Sequence, residues 1–187
     1  MKMATSASGD DKKKLVKVGP YGARACGQPW DDRDKDGIAQ IFICYGESVI
    51  NSLRFNYVKK NGKLELSDRY GGDCGLNFTT VDVDYPSEFL TWVRGSYNAK
   101  SGLVSLTFGT NISQYGPFGG RESMRDSYVV VNGRNKGDSE DSEFYIGMGK
   151  QLGGFAGFHG YFLDDNRILS IGAYIKPATG NCGLPKN

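Results

Sequence analysis

One histidine, six prolines and no apolar run of membrane-spanning length set the first bounds on this 187-residue chain. A single histidine, His159, excludes a multi-histidine metal site and argues against a catalytic triad or a histidine-based acid–base pair. Neither sign of charge prevails. The 23 Lys and Arg against 21 Asp and Glu leave a net +2, which gives no electrostatic footprint for nucleic acid. The one basic run, Lys12-Lys13-Lys14, follows Asp10-Asp11 and reads as part of a solvated tail. The segment Met1–Lys14 lacks the apolar core of a secretory signal. The expectation is a soluble intracellular protein, cytoplasmic with the nucleus as a second location, and without a membrane partner. The four cysteines, Cys26, Cys44, Cys74 and Cys182, form no Cys-x-x-Cys pair, and in a reducing compartment they are expected as free thiols. Asn77-Phe78-Thr79 and Asn111-Ile112-Ser113 match the glycosylation sequon and read there as chance matches.

What is abundant is glycine, at 27 residues, beside 12% aromatics. Many glycines among many Tyr and Phe, with no sustained helical periodicity, predict an all-β protein with tight turns. Strands are expected at Leu15–Val18, Ile38–Tyr45, Val49–Val58, Lys63–Ser67, Phe78–Val83, Phe89–Tyr97, Leu103–Thr110 and Ile168–Ile175. Residues 23–30 read as a loop. Lys59-Lys60-Asn61-Gly62 reads as a hairpin turn, because Asn-Gly suits a positive φ. Strands at this spacing suggest a sandwich, barrel or prism. Residues 1–14 are expected as a disordered tail, 15–177 as one domain and 178–187 as a second tail.

A weak internal repeat organises the domain. Ser52-Leu53-Arg54-Phe55, Ser105-Leu106-Thr107-Phe108 and Ser170-Ile171-Gly172-Ala173 each follow a glycine-marked turn. The longer second interval holds a polar segment, 121–142, which reads as an insertion. Three similar β units suggest a fold with three-fold pseudo-symmetry.

Within that frame, Phe155–Ile175 reads as strand, polar loop, strand. Its loop, Asp164-Asp165-Asn166-Arg167, is either a plain surface turn or a binding loop on a rigid scaffold. Asp164 and Asp165 are adjacent in sequence and do not form the opposed carboxylate pair of a glycosidase, so no enzyme is expected. Asp32-Arg33-Asp34-Lys35-Asp36-Gly37 looks like the start of a calcium loop. Its twelfth position, however, is Ile43 instead of Glu, and it reads as a charged turn. Neither a metal nor a cofactor is expected.

Eight segments in order resemble the jacalin-related lectins: Gly19-Pro20-Tyr21-Gly22, Gln28-Pro29-Trp30-Asp31-Asp32, Ile38-Ala39-Gln40-Ile41, Ser67-Asp68-Arg69-Tyr70-Gly71-Gly72, Asp84-Tyr85-Pro86-Ser87-Glu88-Phe89-Leu90, Ser105-Leu106-Thr107-Phe108, Tyr115-Gly116-Pro117-Phe118-Gly119 and Gly157-Phe158-His159-Gly160. The resemblance runs from about residue 15 to Pro177. It implies a β-prism I fold, three four-stranded Greek-key sheets, in mostly plant proteins that bind sugars without metal or cofactor. It also implies a sugar site at one end of the prism. There a Gly-x-x-x-Asp loop before the last strand supplies a carboxylate and backbone amides, and a glycine loop after the first strand supplies a further N–H.

Carried onto this chain, that site comprises Gly27 and the segment Gly160, Tyr161, Phe162, Leu163, Asp164 and Asp165. Two alignments compete. As a string, Gly160-Tyr161-Phe162-Leu163-Asp164 fits the motif. Anchored on the strand Ser170-Ile171-Gly172, Leu169 stands where the Asp should be and the loop is about two residues longer. Strand register, fixed by burial, is the firmer anchor. A second family site, at Gly46-Glu47-Ser48-Val49-Ile50 with Cys74-Gly75, reads as lost because Ile50 takes the Asp position. The tail ahead of the first strand favours mannose or glucose over galactose. Two functions follow from the resemblance. One is a mannose/glucose-binding lectin in plant defence or stress response. The other is a sugar-silent interaction module, for example in virus restriction, that engages a protein partner. The resemblance also allows a homodimer.

Overall fold

The computed structural model describes residues 15–23, 27–72, 75–120, 141–147, 152–164 and 167–177. All regular elements among them are strands: β1 Val16–Gly22, β2 Gln28–Asp31, β3 Gly37–Tyr45, β4 Ile50–Val58, β5 Leu64–Leu66, β6 Tyr70–Gly71, β7 Asn77–Asp82, β8 Leu90–Asn98, β9 Gly102–Thr110, β10 Gln114–Gly119, β11 Ser142–Gly147, β12 Leu152–Leu163 and β13 Arg167–Pro177. They form three antiparallel sheets, each built on a central hairpin. Sheet 1 has the order β1-β13-β12-β2, sheet 2 β5-β4-β3-β7, and sheet 3 β10-β9-β8-β11. In sheet 2 the outer strand is broken at 67–69, so β6 pairs with β4 separately.

The alternation of branched and aromatic residues with polar ones explains which face of each strand turns inward. Ile41 and Ile43 of β3, Leu53, Phe55 and Tyr57 of β4, Leu106 and Phe108 of β9, and Ile168, Ile171 and Ala173 of β13 are fully buried. One ring from each sheet meets near the axis. Phe158 of β12 stacks on Phe55 at 4.8 Å and lies edge-on to Phe108 at 6.4 Å. These rings give each sheet a share in one core, which makes the prism one cooperative unit.

The three-unit reading is visible atom by atom. Gly22, Gly71 and Gly119 pair with Ser170, Ser52 and Ser105, the three serines of the sequence repeat. Each glycine has φ between 70° and 122°. A Cβ there would overlap the carbonyl oxygen of Leu169, Asn51 or Val104, the residue before each serine. A backbone that must approach this closely in a left-handed conformation admits only glycine. The Asn61-Gly62 turn also forms as expected, with Gly62 at φ 76° and its N–H bonded to the Lys59 carbonyl at 2.8 Å.

Three expectations are corrected. The 23–30 loop contains a strand, because β2 finds its partners on β12 far along the chain. Strands β10 and β11 were not marked by alternation, β10 because Gly116-Pro117 reads as a turn. Cys44 is disulfide-bonded, not a free thiol, and its partner lies outside the described residues. A disulfide needs no proximity in sequence, so the missing Cys-x-x-Cys pattern did not exclude it. In the Asp32–Gly37 segment, Asp32 accepts from the Tyr70 hydroxyl at 2.6 Å while Asp36 pairs with Lys176 at 3.3 Å. The expected tails, 1–14 and 178–187, lie outside the described residues. So does the insertion, except for Asp141 and Ser142, and Ser142 opens β11.

Candidate functional site

The end of sheet 1 where the β12–β13 hairpin turns is the place the sequence singled out. Its last backbone pair is Leu163 with Arg167, and Asp164 is the described residue of the turn beyond it. Deeper in the hairpin, Tyr161 faces Ser170 and Phe162 faces Ile168. Leu169 therefore has no opposite residue on β12. It is a bulge, and bulges re-aim a side chain. Its carbonyl accepts a bond from the Ala23 N–H at 3.0 Å. Its side chain is 4% exposed and turns toward the loop that follows β1. A Cβ added at Gly27 would stand 2.6 Å from Leu169 Cδ1 and 3.1 Å from Tyr161 Cβ. The Leu169 isobutyl group is thus packed against Gly27 beside Tyr161, at the position where the resemblance implies a carboxylate.

The remaining expected site residues spread out from that point. Gly160 is not in a loop. It sits in mid-sheet between Trp30 and Ile171 and is buried. Phe162 leans its ring on Tyr70 at 5.9 Å, so it belongs to the core rim. Tyr161 and Leu163 are half-buried strand residues. Asp164 is exposed at the hairpin tip and accepts a hydrogen bond from Gln28 Nε2 at 2.6 Å. Asp165 lies outside the described residues. The structure therefore brings Gly27, Tyr161 and Leu169 together, and sets Asp164 apart with Gln28. Sequence reasoning missed Gln28. Only the register of β2 on β12, Gln28 opposite Phe162, brings it there.

The second unit needs a correction. Ile50 is fully buried and pairs with Tyr45 after a register shift in the β3–β4 hairpin. Its Cδ1 points into the interior, 3.0 Å from where a Cβ on Gly119 would be. By the serine register, Asn51 is the counterpart of Leu169, and its Oδ1 lies against Gly75 and Gly46. In the third unit the counterpart is Val104, which is buried. Leu169, Asn51 and Val104 occupy three equivalent positions, and none is a carboxylate.

Beside the first-unit end, the outer face of sheet 1 carries a polar cluster. Asp31 takes both Arg33 Nε at 3.1 Å and Nη2 at 2.8 Å, together with the Tyr174 hydroxyl at 2.6 Å. Lys17 approaches the same carboxylate at 3.5 Å. The Arg33 hydrogen bond foremost, then Tyr174 and the nearby cations, hold the Asp31 carboxyl down to about 2 against the cost of its partial burial. Under Tyr174, His159 is 3% exposed and its Nε2 lies 3.1 Å from the Val18 carbonyl. A carbonyl only accepts, so Nε2 carries the proton in the neutral ring. Burial first, and Lys17 beside it, push His159 down to about 4. In the interior, Asp32 is held above the usual carboxylate range, mainly by burial. Asp31, Arg33, Lys17 and Tyr174 are engaged with one another and tie β1, β2 and β13 together on this face.

Comparisons with known proteins agree with this fold. The Jacalin-like lectin domain matches residues 18–174. The chain is 35% identical over 173 residues to the protein RESTRICTED TEV MOVEMENT 1 of Arabidopsis thaliana, covering 88% of each. It is 29% identical to Jacalin-related lectin 2 of the same plant, covering 87% of this chain and 86% of that one. Among solved structures, the mannose-binding lectin from Champedak superposes with a TM-score of 0.67 at 27% identity, over 88% of this chain and 98% of the other. The three sheets, the glycine–serine register repeated three times and these similarities together place the chain in the jacalin-related lectin family.

Proposed function

We propose that this chain is a non-catalytic recognition module in which the family's mannose site at the first-unit end is closed. One observation carries the reading: Leu169, bulged and buried, packs against Gly27 at the position where the resemblance requires an aspartate. An aliphatic side chain offers no acceptor to sugar hydroxyls, and a hydroxyl brought against it would lose its bonds to water. The target is then met by another surface. Similarity to RESTRICTED TEV MOVEMENT 1 is compatible with an interaction module of this fold, and a role in plant defence in the cytoplasm is part of the proposal. A mannose/glucose lectin is the second reading. Its support is Asp164, whose exposed carboxylate and Gln28 partner could accept sugar hydroxyls at the hairpin tip.

Titration calorimetry separates the two. Family-like sites hold monosaccharides at about 1 mM, roughly 4 kcal/mol. With methyl-mannoside and mannotriose at about 10 mM, and galactose as control, the expected result is no saturable heat. Saturating heat with mannosides that disappears in Asp164→Ala would overturn the closed-site reading and establish the tip as the sugar site.

A further inference from the structure

The outer face of sheet 3 carries a feature that neither the first-unit end nor the repeat explains. Trp92 on β8 is paired with a glycine on both sides, Gly109 of β9 and Gly147 of β11. A Cβ at Gly109 would overlap the indole, and one at Gly147 would overlap the ring of Tyr145. The two glycines bare the backbone so that both rings lie flat on the sheet. Their centroids are 6.1 Å apart and their planes 25° apart. Tyr145 is 59% exposed. Trp92 is half-buried and Tyr145 is the open ring of the pair, so the two form a platform, whereas ordinary outward side chains stand upright on the pleat.

The platform runs into a cleft. Arg94 lies 5.5 Å over the Trp92 ring and pairs across the strands with Thr107 and Tyr145. Next along, Ser96 stands between Ser105 and Glu143, and the two serine hydroxyls touch at 2.8 Å. From Arg94 the surface drops into a cleft of about 770 Å³, bordered by Glu143, Asp141, Lys100 and Glu47. Its walls mix carboxylates, cations, hydroxyls and the Asn98 amide, so it both donates and accepts. The cations Arg94 and Lys100 nearly balance the acids. Phe144, Val104 and Pro117 also line it.

We infer that the outer face of sheet 3 is a binding site for a neutral oligosaccharide. A pyranose ring has an apolar C–H face and a rim of hydroxyls. The platform of Trp92 and Tyr145 takes the face, as aromatic side chains take amphipathic ligands. Arg94, Glu143 and the serine hydroxyls take the rim. From Trp92 to Asn98 the strand runs roughly 20 Å, long enough for several sugar units in a row, so the ligand is a chain and not a monosaccharide. Near-cancelling charge excludes a strongly anionic or cationic polymer as the preferred occupant. The site is separate from the closed first-unit end and stands or falls independently of it.

The chain has two tryptophans, and Trp30 is buried, so a ligand-induced change in intrinsic fluorescence is assigned to Trp92 by its loss in Trp92→Phe. The test titrates the full chain with cellohexaose, xylohexaose and mannohexaose up to about 5 mM. The expected result is a saturable fluorescence change with at least one hexaose. Trp92→Phe retains binding in a calorimetric titration, whereas Trp92→Ala and Glu143→Gln weaken it by about 10-fold or more. Asp164→Ala leaves it unchanged. Near-ultraviolet circular dichroism confirms that each variant is folded. No response from any hexaose overturns the inference, as does binding that survives in folded Trp92→Ala. Binding lost in Asp164→Ala and kept in Trp92→Ala also overturns it, and places the sugar at the hairpin tip, against the closed-site reading as well.

Discussion

His159 makes the stability of this prism depend on pH in a window where most carboxylates are silent. The ring sits under Tyr174 at 5.0 Å, donates through Nε2 to the Val18 carbonyl and is walled by Gly172, where any Cβ would crowd its Cε1 and Nε2. Protonation would add a second N–H at Nδ1 in a buried place that Lys17 and Arg33 already make positive. The folded-state value, about 4, lies below the ordinary 6.5. Between those two values the unfolded chain binds a proton that the folded chain refuses, so stability is complete above about 6.5 and falls as pH drops toward 4. A shift of this size corresponds to about 3 kcal/mol at full extent. Asp32 works in the opposite sense. Its folded value is raised, so in the window just above 3.8 the folded chain holds its proton more tightly and falling pH recovers part of the loss. Comparison with His159→Gln removes that contribution, because both proteins share Asp32. Urea unfolding followed by circular dichroism at half-unit steps from pH 7 to 4 measures the difference. The expectation is that the wild type loses about 2–3 kcal/mol more than His159→Gln across this range. Parallel profiles, within about 0.5 kcal/mol, would refute the buried neutral imidazole.

Other perturbations follow from the same contacts. Leu169→Ala removes a buried isobutyl group between Gly27 and Tyr161 and should cost about 2–4 kcal/mol in denaturant unfolding; a cost under about 1 kcal/mol would mean that the side chain does not fill that space. Gly71→Ala forces a Cβ onto the Asn51 carbonyl at φ 87° and should lower the melting midpoint by about 8 °C or more, whereas Gly62→Ala, at φ 76° with open space around it, should cost only about 1 kcal/mol. Asp31→Asn removes the carboxylate shared by Arg33, Lys17 and Tyr174. Because the Asp31 value is depressed to about 2 from 3.8, the wild type's advantage should hold above pH 4, reach about 1 kcal/mol after allowance for its partial exposure, and vanish as pH falls through 2. A difference that persists below pH 2 would refute the ion-pair account.

The architecture was legible where burial writes itself into the sequence. Ile38–Tyr45 and Val49–Val58 alternate because one face of sheet 2 lies in the core, and the structure returns them within one residue as β3 and β4. The repeated serines marked three equivalent strands, and the paired glycines gave the reason. What alternation could not reveal were short edge strands. β2 has four residues, one of them Pro29, and it is a strand only because β12 supplies partners. The site was half legible. Gly-x-x-x-Asp as a string pointed to Asp164, while strand register pointed to Leu169. The bulge at Leu169 shows that both residues are close to the end in question and that only Leu169 faces Gly27. In the second unit the string misled outright, since a hairpin register shift sends Ile50 inward and leaves Asn51 against the loop glycines. The Trp92 platform left no readable trace, because glycines at 109 and 147 are unremarkable among so many.

Three-fold repetition gives a physical reason for separating the fold from its ligand. The glycine at each edge strand and the serine it faces are fixed by backbone contact, so any substitution there breaks a sheet. The residue just before each serine is under no such constraint: its carbonyl meets the glycine, and its side chain is free to be Leu169, Asn51 or Val104. Function at the prism end can therefore be lost one side chain at a time while the register stays intact. The outer faces of the sheets are freer still, since nothing in the core depends on them. On sheet 3 that freedom has been used to flatten two aromatic rings over two glycines. Packing alone does not ask for this arrangement: Tyr145 keeps 59% of its surface exposed, and alanine at 147 would let the same ring stand upright at no cost to the core. The closed end and the sheet 3 site are therefore consistent proposals: a prism whose three end positions hold no carboxylate would meet its target on the side of sheet 3, where the exposed Tyr145 ring lies beside a polar cleft.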